Sequence, residues 1–504
     1  MSSKRIVKNV IYGFVGQVFI LFLGIIIPRV LIVSYGSDTN GLLSTITQIF
    51  TYMALLEAGI ASAAKNALYD PVSRNNKQEI SRVISIARNY YHRVTLVYGI
   101  AVLLMAIVLP YIIKTDIDKV TILLIVLFQG MSGVIGFYFT QTYSIILSTD
   151  GKGYVNNVVN VCEKSLNYGI KIVLAYLGVN IVLFQFFSFL FSIIKVVFYS
   201  FYMKRAYYWI DYNIDDGEGK LADRNSYVVN ELAWTVFSST DMIILSAFVS
   251  TKMSSVYNIY NMVFSAVNVL FNAVYFNLSY VLGQTYHRNK NKYEKVHDMF
   301  ISVFVGGTTI TISTIYLLLI PFIELYTNDV EDVNYIYSNL PILFCLIQIL
   351  SWSRYVQGNL TGLAGYAKQT SYISLAEAFI NFFLSLFLVQ KYSIFGVLIA
   401  TVVALPLKVL YTTYISDKKI IHRSLFCSIK ILGVNYLLFL GAVLIGRYIV
   451  FNINSYLSLL SNGIVVFCVI FVIGFLLNMI VNPFLFKFFI EVIKRKKHIS
   501  FENL

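Results

Sequence analysis

Apolar runs of about twenty residues recur along nearly the whole chain, separated by charged or Gly/Pro breaks. That length is what a bilayer core asks of a helix. Reading the runs between breaks predicts fourteen transmembrane helices, at 10–33, 41–64, 91–113, 120–147, 155–178, 181–203, 226–249, 256–283, 299–321, 335–360, 370–390, 393–415, 428–450 and 458–483. The expected fold class is all-α, a polytopic membrane protein. The first run, Val10 to Val33, follows Lys4, Arg5 and Lys8. It is too long for the apolar core of a signal peptide, and no small-residue cleavage site follows, so an uncleaved first helix is expected.

The breaks give orientation. With the N-terminus in the cytoplasm, the stretches Lys65 to Arg93, Lys204 to Arg224, Arg288 to Lys295 and Lys418 to Arg423 fall inside, together with the basic tail KRKK at 494–497. KTDIDK at 114–119 and the acidic stretch Glu324 to Asp332 fall outside. Basic residues gather inside, as the positive-inside rule asks, and an even number of spans returns the C-terminus to the cytoplasm.

Composition agrees. The chain of 504 residues is 58% hydrophobic and 13% charged, against about a quarter charged in a soluble domain. A net charge of +14 could suggest nucleic acid as partner, but the basic residues are dispersed among short loops beside spans, so no nucleic acid is expected. Cys162, Cys345, Cys427 and Cys468 are scattered without ligand spacing, which implies neither a disulfide framework nor a zinc site. The five histidines sit in or beside loops, with no metal spacing. No GxxxxGKS/T motif is present, and no loop has room for a catalytic or nucleotide-binding domain. A cofactor-free protein without enzymatic activity is expected.

Sliding the chain by 214 residues reveals a repeat. Leu31 falls on Leu245, Arg74 and Asn75 on Arg288 and Asn289, Gly151 on Gly365, Glu163 on Glu377, and Asn167 on Asn381, with Gln17 on Glu231 as a looser match. Two polar positions four residues apart inside apolar runs rarely coincide by chance. The predicted organisation is two six-helix copies, 1–213 and 214–427, followed by a helix pair and basic tail at 428–504. Six spans per copy makes the copies parallel, and transporters built this way bind substrate between their halves.

Charges inside a membrane are costly, at about 2.5–3.5 kcal/mol each on insertion scales, and therefore face a bundle interior or water. In the fifth predicted helix, Asn160, Lys164, Asn167 and Lys171 follow i, i+4, i+7, i+11, one face with Glu163 at its edge. The eleventh repeats this weakly with Ser374, Glu377, Asn381 and Ser385. Asn261, Asn268, Asn272 and Tyr275 stripe the eighth, and Trp234, Ser238 and Asp241 the seventh, with Glu231 a turn before. Such stripes suit a hydrated cavity. Lys164 and Lys171 lie deep and share a face, which snorkelling does not explain. Snorkelling to the cytoplasmic interface is an adequate alternative for Lys195, Arg354 and Lys408, interfacial anchoring for Arg29, and helix-to-helix bonding for the asparagines. Glu57, Glu163, Glu231, Asp241 and Glu377 are candidate carboxylates for a coupling H⁺ or Na⁺, or structural groups.

Two stretches carry a family resemblance. YGSDTNGLLSTITQIFTYMALLEAGIASAAKNAL at 35–68 resembles the second helix, and DMIILSAFVSTKMSSVYNIYNMVFSAV at 241–267 the helix 7–8 turn, of the Wzx-type polysaccharide flippases in the MATE-like superfamily of multidrug, oligosaccharidyl-lipid and polysaccharide exporters. The likeness spans the whole chain through degenerate motifs, and departs at Lys65 and Asn66, where the pattern closes helix 2 with an arginine. It implies a bacterial cytoplasmic-membrane protein that flips an undecaprenyl-diphosphate-linked oligosaccharide to the outer leaflet for O-antigen, capsule or teichoic-acid synthesis. It implies membrane lipids and a polysaccharide polymerase as partners. On this view Lys164, Lys171, Arg29 and Arg354 suit the diphosphate, and Asn160, Asn167, Asn261, Asn268 and Asn272 the sugar. A cation-coupled multidrug exporter and a lipid II flippase are the alternatives.

Overall fold

The structure, a computed structural model, describes residues 3–57, 60–212, 214, 240–288, 290–449, 451 and 453–485. Every regular element among them is helical. Much of this sequence is Ile, Val and Phe, residues with no helical bias in water. In lipid no water meets a stray N–H or C=O, so a span must close its hydrogen bonds internally, and the helix does so. Nine helices among the described residues are long and apolar enough to cross a membrane, from Phe19–Met53 to Tyr456–Val481. The chain is a multi-pass membrane protein.

The helices are longer than the apolar runs. α1 (Ser3–Met53) runs on past the predicted first helix and breaks only at Gly36, whose φ of 81° is left-handed. A short 3₁₀ turn, Ala54–Glu57, precedes α2 (Ile60–Ser73). α3 (Lys77–Ile112) starts fourteen residues before the apolar run at 91–113. The stretch from Lys65 to Arg93, read from sequence as a loop, is therefore helical apart from residues 74–76. Hydropathy marks the part of a helix that lipid covers, and an amphipathic extension into the aqueous phase does not register. Asn76 starts α3 by accepting from the Glu79 N–H at 3.2 Å, and Asp118 starts α4 (Lys119–Ile135) in the same way from Thr121 at 2.8 Å.

Beyond α4 a π-helical turn, Gly136–Thr140, leads into α5 (Gln141–Thr149), α6 (Gly153–Tyr176) and α7 (Ile181–Ala206). Residues 240–248 are helical, so only the end of the helix predicted at 226–249 lies among the described residues. Then follow α8 (Thr251–Arg288), α9 (Lys290–Phe300), a π-helical turn at Ile301–Val305 and α10 (Gly306–Tyr326). α11 (Leu340–Ser353) and α12 (Tyr355–Leu363) meet at Arg354. α13 (Ala367–Tyr392), α14 (Ile394–Tyr414), a π-helical turn at Ile415–Ile421, α15 (Phe426–Gly446) and α16 (Tyr456–Val481) complete the order.

The chain forms two compact units. One comprises Met1–Asn258 with Val330–Val333, the other Ile259–Asp329 with Asn334–Leu504. In the first, α1 packs along α6 and α4 along α7, with Tyr91, Phe184 and Tyr199 among the fully buried side chains. One end is tied by carboxylates. Asp38 accepts from the Thr115 hydroxyl (2.7 Å), the Asp116 N–H (2.9 Å) and the Thr251 hydroxyl. Asp332 accepts from the Ser37 N–H and hydroxyl at 2.8 and 2.6 Å. A Cβ on Gly41 would meet the Thr251 carbonyl oxygen at 1.7 Å, so this approach needs glycine.

In the second unit, α15 and α16 pack on α10. Gly446 and Gly474 are the close approaches, against Leu317 and Ile310. Asn435 and Asn478 exchange amide hydrogen bonds of 3.1 and 3.0 Å, and Asn482 donates to the Ser302 hydroxyl at 3.0 Å. Arg423 holds Asp298 through both Nη atoms (2.9 and 2.7 Å) and Asp417 through Nε (2.8 Å). Two turns, one in each unit, close alike. Lys152 N–H donates to the Leu147 carbonyl at 2.8 Å and Tyr366 N–H to the Thr361 carbonyl at 2.9 Å, with Gly151 and Gly365 at φ 72° and 84° between. This is the left-handed glycine cap that ends a helix cleanly.

Candidate functional site

The first unit encloses a cavity of about 480 Å³. α6 supplies its charge. Lys164, Asn167 and Lys171 recur at i, i+3, i+7 and stand on one face, and all three line the cavity together with Glu163 and Tyr168. Asn160, one turn earlier on the predicted face, does not line it. The fifth predicted helix carries these polar residues at no cost to its backbone, because α6 keeps an unbroken helix from Gly153 to Tyr176.

Amides and hydroxyls from the neighbouring helices face the charges. Gln185 of α7 donates to Gln129 Oε1 of α4 at 3.3 Å, and Gln129 donates to the Thr47 hydroxyl of α1 at 2.8 Å. Asn167 and Ser188 exchange two 3.0 Å bonds between α6 and α7. Asn40 donates to the Ser255 hydroxyl at 2.7 Å. Gln48, Ser132 and Asn258 complete the polar wall, and Ile27, Pro28 and Leu31 the apolar one.

The lysines are not spent on the protein. Lys171 Nζ lies 5.3 Å from the centroid of the Phe184 ring, a cation over an aromatic face. Among the described residues neither Lys164 nor Lys171 donates a hydrogen bond or joins an ion pair, and Glu163 accepts none. Glu163 does feel the fields of Lys195, Lys164 and Lys171. The arrangement offers two cations, one anion and a belt of uncharged donors and acceptors around a space large enough for a small polar group.

The other sequence candidates lie elsewhere. Arg354 and Glu377, expected as a diphosphate-binding or snorkelling cation and a coupling carboxylate, face each other in the second unit with Nη1 and Oε1 2.6 Å apart and side chains 5% and 3% exposed. Arg354 is thus drawn to a carboxylate instead of snorkelling to the interface. Lys408 lies close enough to Glu377 to act on it electrostatically. Asn268 accepts from the Trp352 indole at 2.8 Å, which ties α8 to α11 within the second unit, and Asn272 donates to the backbone carbonyl of Asn268 on its own helix at 2.9 Å. Asn261 is half-buried there, and Arg29 is half-buried on α1. Asp241, in the first unit, is 5% exposed and accepts from the Tyr257 hydroxyl at 3.1 Å. Glu57 lies beside Tyr91. Glu231, Trp234 and Ser238 fall outside the described residues. Sequence reasoning missed Gln48, Gln129, Gln185, Asn40 and Asn258. Gln129 and Gln185 each interrupt an apolar run, which was a readable signal.

No protein-family model matches the chain, and no curated protein matches it. Solved structures do. The lipid II flippase MurJ in an inward closed conformation matches with a TM-score of 0.65 at 13% identity, over 93% of this chain and 98% of its own. An inward-facing multidrug resistance MATE family transporter of the MOP superfamily matches with a TM-score of 0.61 at 14% identity, over 81% and 97%. The MATE multidrug transporter DinF-BH matches with a TM-score of 0.60 at 16% identity, over 84% and 97%. The chain has the fold of MOP superfamily transporters.

Proposed function

We propose that this protein is a flippase that moves an undecaprenyl-diphosphate-linked oligosaccharide from the cytoplasmic to the outer leaflet for surface polysaccharide synthesis, of O-antigen, capsule or teichoic-acid type. The observation that carries the reading is the cavity of the first unit, where Lys164 and Lys171 outnumber Glu163 and amides line the rest. A diphosphate taken out of water needs cations and donors around it. Sugar hydroxyls need partners of both kinds, which Gln48, Gln129, Gln185 and Asn167 offer. A cationic drug would be repelled by the two lysines, which counts against a multidrug exporter.

In this reading residues 1–213 and 214–427 are parallel copies, 428–504 adds a hairpin, and alternating access rocks one copy against the other. The matching turns at 147–152 and 361–366, exactly one 214-residue step apart, support it. So do Asn167 and Asn381, each of which bonds to the following helix, at the Ser188 carbonyl and the Thr401 hydroxyl. Coupling to H⁺ or Na⁺ is read onto Asp241, Glu57 and Glu231, because Arg354 already meets the charge of Glu377. The protein sits in the bacterial cytoplasmic membrane with both termini inside, beside a polysaccharide polymerase. A lipid II flippase is the second reading, favoured by the 93% of this chain that the MurJ structure covers.

The test is deletion followed by analysis of lipid-linked intermediates. A surface-polymer precursor should accumulate on the cytoplasmic leaflet. Accumulated lipid II with cell lysis would select the second reading, and no accumulated lipid-linked sugar would refute both. Lys164→Ala with Lys171→Ala should lower flipping at least about tenfold, since a bond to a charged group is worth about 1.5–3 kcal/mol.

A further inference from the structure

Glu163 has no role in holding an anion. It lines the cavity, meets no hydrogen-bond donor among the described residues, and its flanking lysines do not close on it. The residue 214 positions later shows what such a carboxylate takes when a partner is supplied. Glu377 stands on the same helix of the second copy, four residues before an asparagine, as Glu163 does. It holds the guanidinium of Arg354 at 2.6 Å. The residue 214 positions before Arg354 is Thr140, whose hydroxyl donates to the Gly136 carbonyl at 2.9 Å. At that position the first copy therefore supplies no guanidinium.

A neighbouring lysine does not remove the need. Lys195 acts on Glu163 from α7. Lys408 acts in the same way on Glu377 from α14. Glu377 nevertheless takes Arg354 as well. Lys164 and Lys171 add to the field at Glu163, but among the described residues none of these lysines closes on it to ion-pair distance, so the difference left between the two carboxylates is a cationic nitrogen in contact in one copy and an open cavity in the other.

We infer that the substrate brings this nitrogen: the sugar next to the phosphate carries a free, protonated amine, which Glu163 binds while Lys164 and Lys171 face the phosphate. This rests on the flippase reading and names its substrate class, an amino sugar that is not acetylated. The cavity walls fit such a zwitterion, with opposite charges on one helix face and neutral amides from α4 and α7 around them. A metal cation is the poorer occupant of Glu163. Among the described residues no group of three His, Cys, Asp or Glu side chains is placed to hold one, whereas one carboxylate suffices for an ammonium.

The test uses the full chain in lipid nanodiscs and two soluble probes, glucosamine 1-phosphate and N-acetylglucosamine 1-phosphate, with affinities measured by titration calorimetry. The amine probe should bind about tenfold more tightly, the difference one charge-assisted bond makes. Glu163→Gln should abolish that ratio by weakening the amine probe alone, and Glu163→Asp, which keeps the charge, should retain a preference. Equal binding of both probes to the unaltered protein overturns the inference and leaves the flippase reading standing, as does a preference that survives Glu163→Gln. Binding of the acetylated probe that rises with sodium and is lost in Glu163→Gln gives Glu163 to a coupling cation, and also overturns it. Binding of neither probe refutes the sugar-phosphate cavity itself.

Discussion

Replacing Arg354 with methionine strands Glu377 as a buried anion. The two side chains are 5% and 3% exposed and their charged atoms are 2.6 Å apart. At an effective dielectric of about 20 the attraction is roughly 332/(20 × 2.6), or about 6 kcal/mol. Desolvating each ion costs several kcal/mol, so the intact pair is close to neutral for stability, while removal of one member costs about 3–5 kcal/mol. Lys408 compensates part of this from α14. The second substitution, Glu377→Gln, removes the stranded charge. The double variant should therefore be more stable than Arg354→Met alone, by about 2 kcal/mol or more, with a coupling of the size seen for contacting charges. The assay is denaturant unfolding in mixed micelles, run as a double-mutant cycle on the unaltered, two single and double variants. A loss below about 1 kcal/mol in Arg354→Met, or a double variant less stable than either single, would refute the argument that the pair is buried and mutually dependent.

Three further outcomes are expected. Gly365→Ala and Gly151→Ala should each cost about 1–2 kcal/mol by the same assay, from the left-handed backbone alone, since a Cβ on Gly365 meets nothing within 4 Å; an unchanged unfolding midpoint would argue against the glycine caps. Asn435→Ala should cost about 1 kcal/mol, the scale of hydrogen bonds between membrane helices, and Asn478→Ala added to it should cost little more, because the two amides satisfy each other. Lys252, at the start of α8 outside the spans, has its ammonium held above the ordinary lysine pKa by its bond to Asp116. Because the folded pKa is raised, this contact is fully present below about pH 10.4 and is lost as pH climbs through the folded value, so a methyl-labelled Lys252 should titrate later in NMR than in the Asp116→Asn variant.

The all-helical, multi-pass character was legible because lipid solvates only apolar side chains, and nine helices among the described residues are long and apolar enough to span. Their true ends were not legible, since α3 continues to Lys77 through a polar surface to which hydropathy is blind. The charged face of α6 was legible from spacing alone, as Lys164, Asn167 and Lys171 show. The partners of Arg354 were not, because periodicity assigns a residue to a face of its own helix and says nothing of the helix opposite. For the same reason Asn268 read as a cavity residue, while a tryptophan 84 positions away had already taken its carbonyl oxygen. The glutamines of the cavity were passed over differently: Gln129 and Gln185 each interrupt an apolar run, but an uncharged amide inserts into a span at modest cost and stands out less than a charge.

The reciprocal amides of α15 and α16 also bear on how the chain is made. Asn435 is synthesised 43 residues before Asn478. A span that enters lipid with one unmet amide waits for a partner, and here the partner is the next span to emerge. The last two spans can leave the translocon together as a closed hairpin, with each amide already answered. They then dock on α10 through Gly446 and Gly474, where bare backbone admits Leu317 and Ile310. Assembly of this helix pair is thereby local in sequence, and Asn482 meets the Ser302 hydroxyl of an earlier element once the pair has docked.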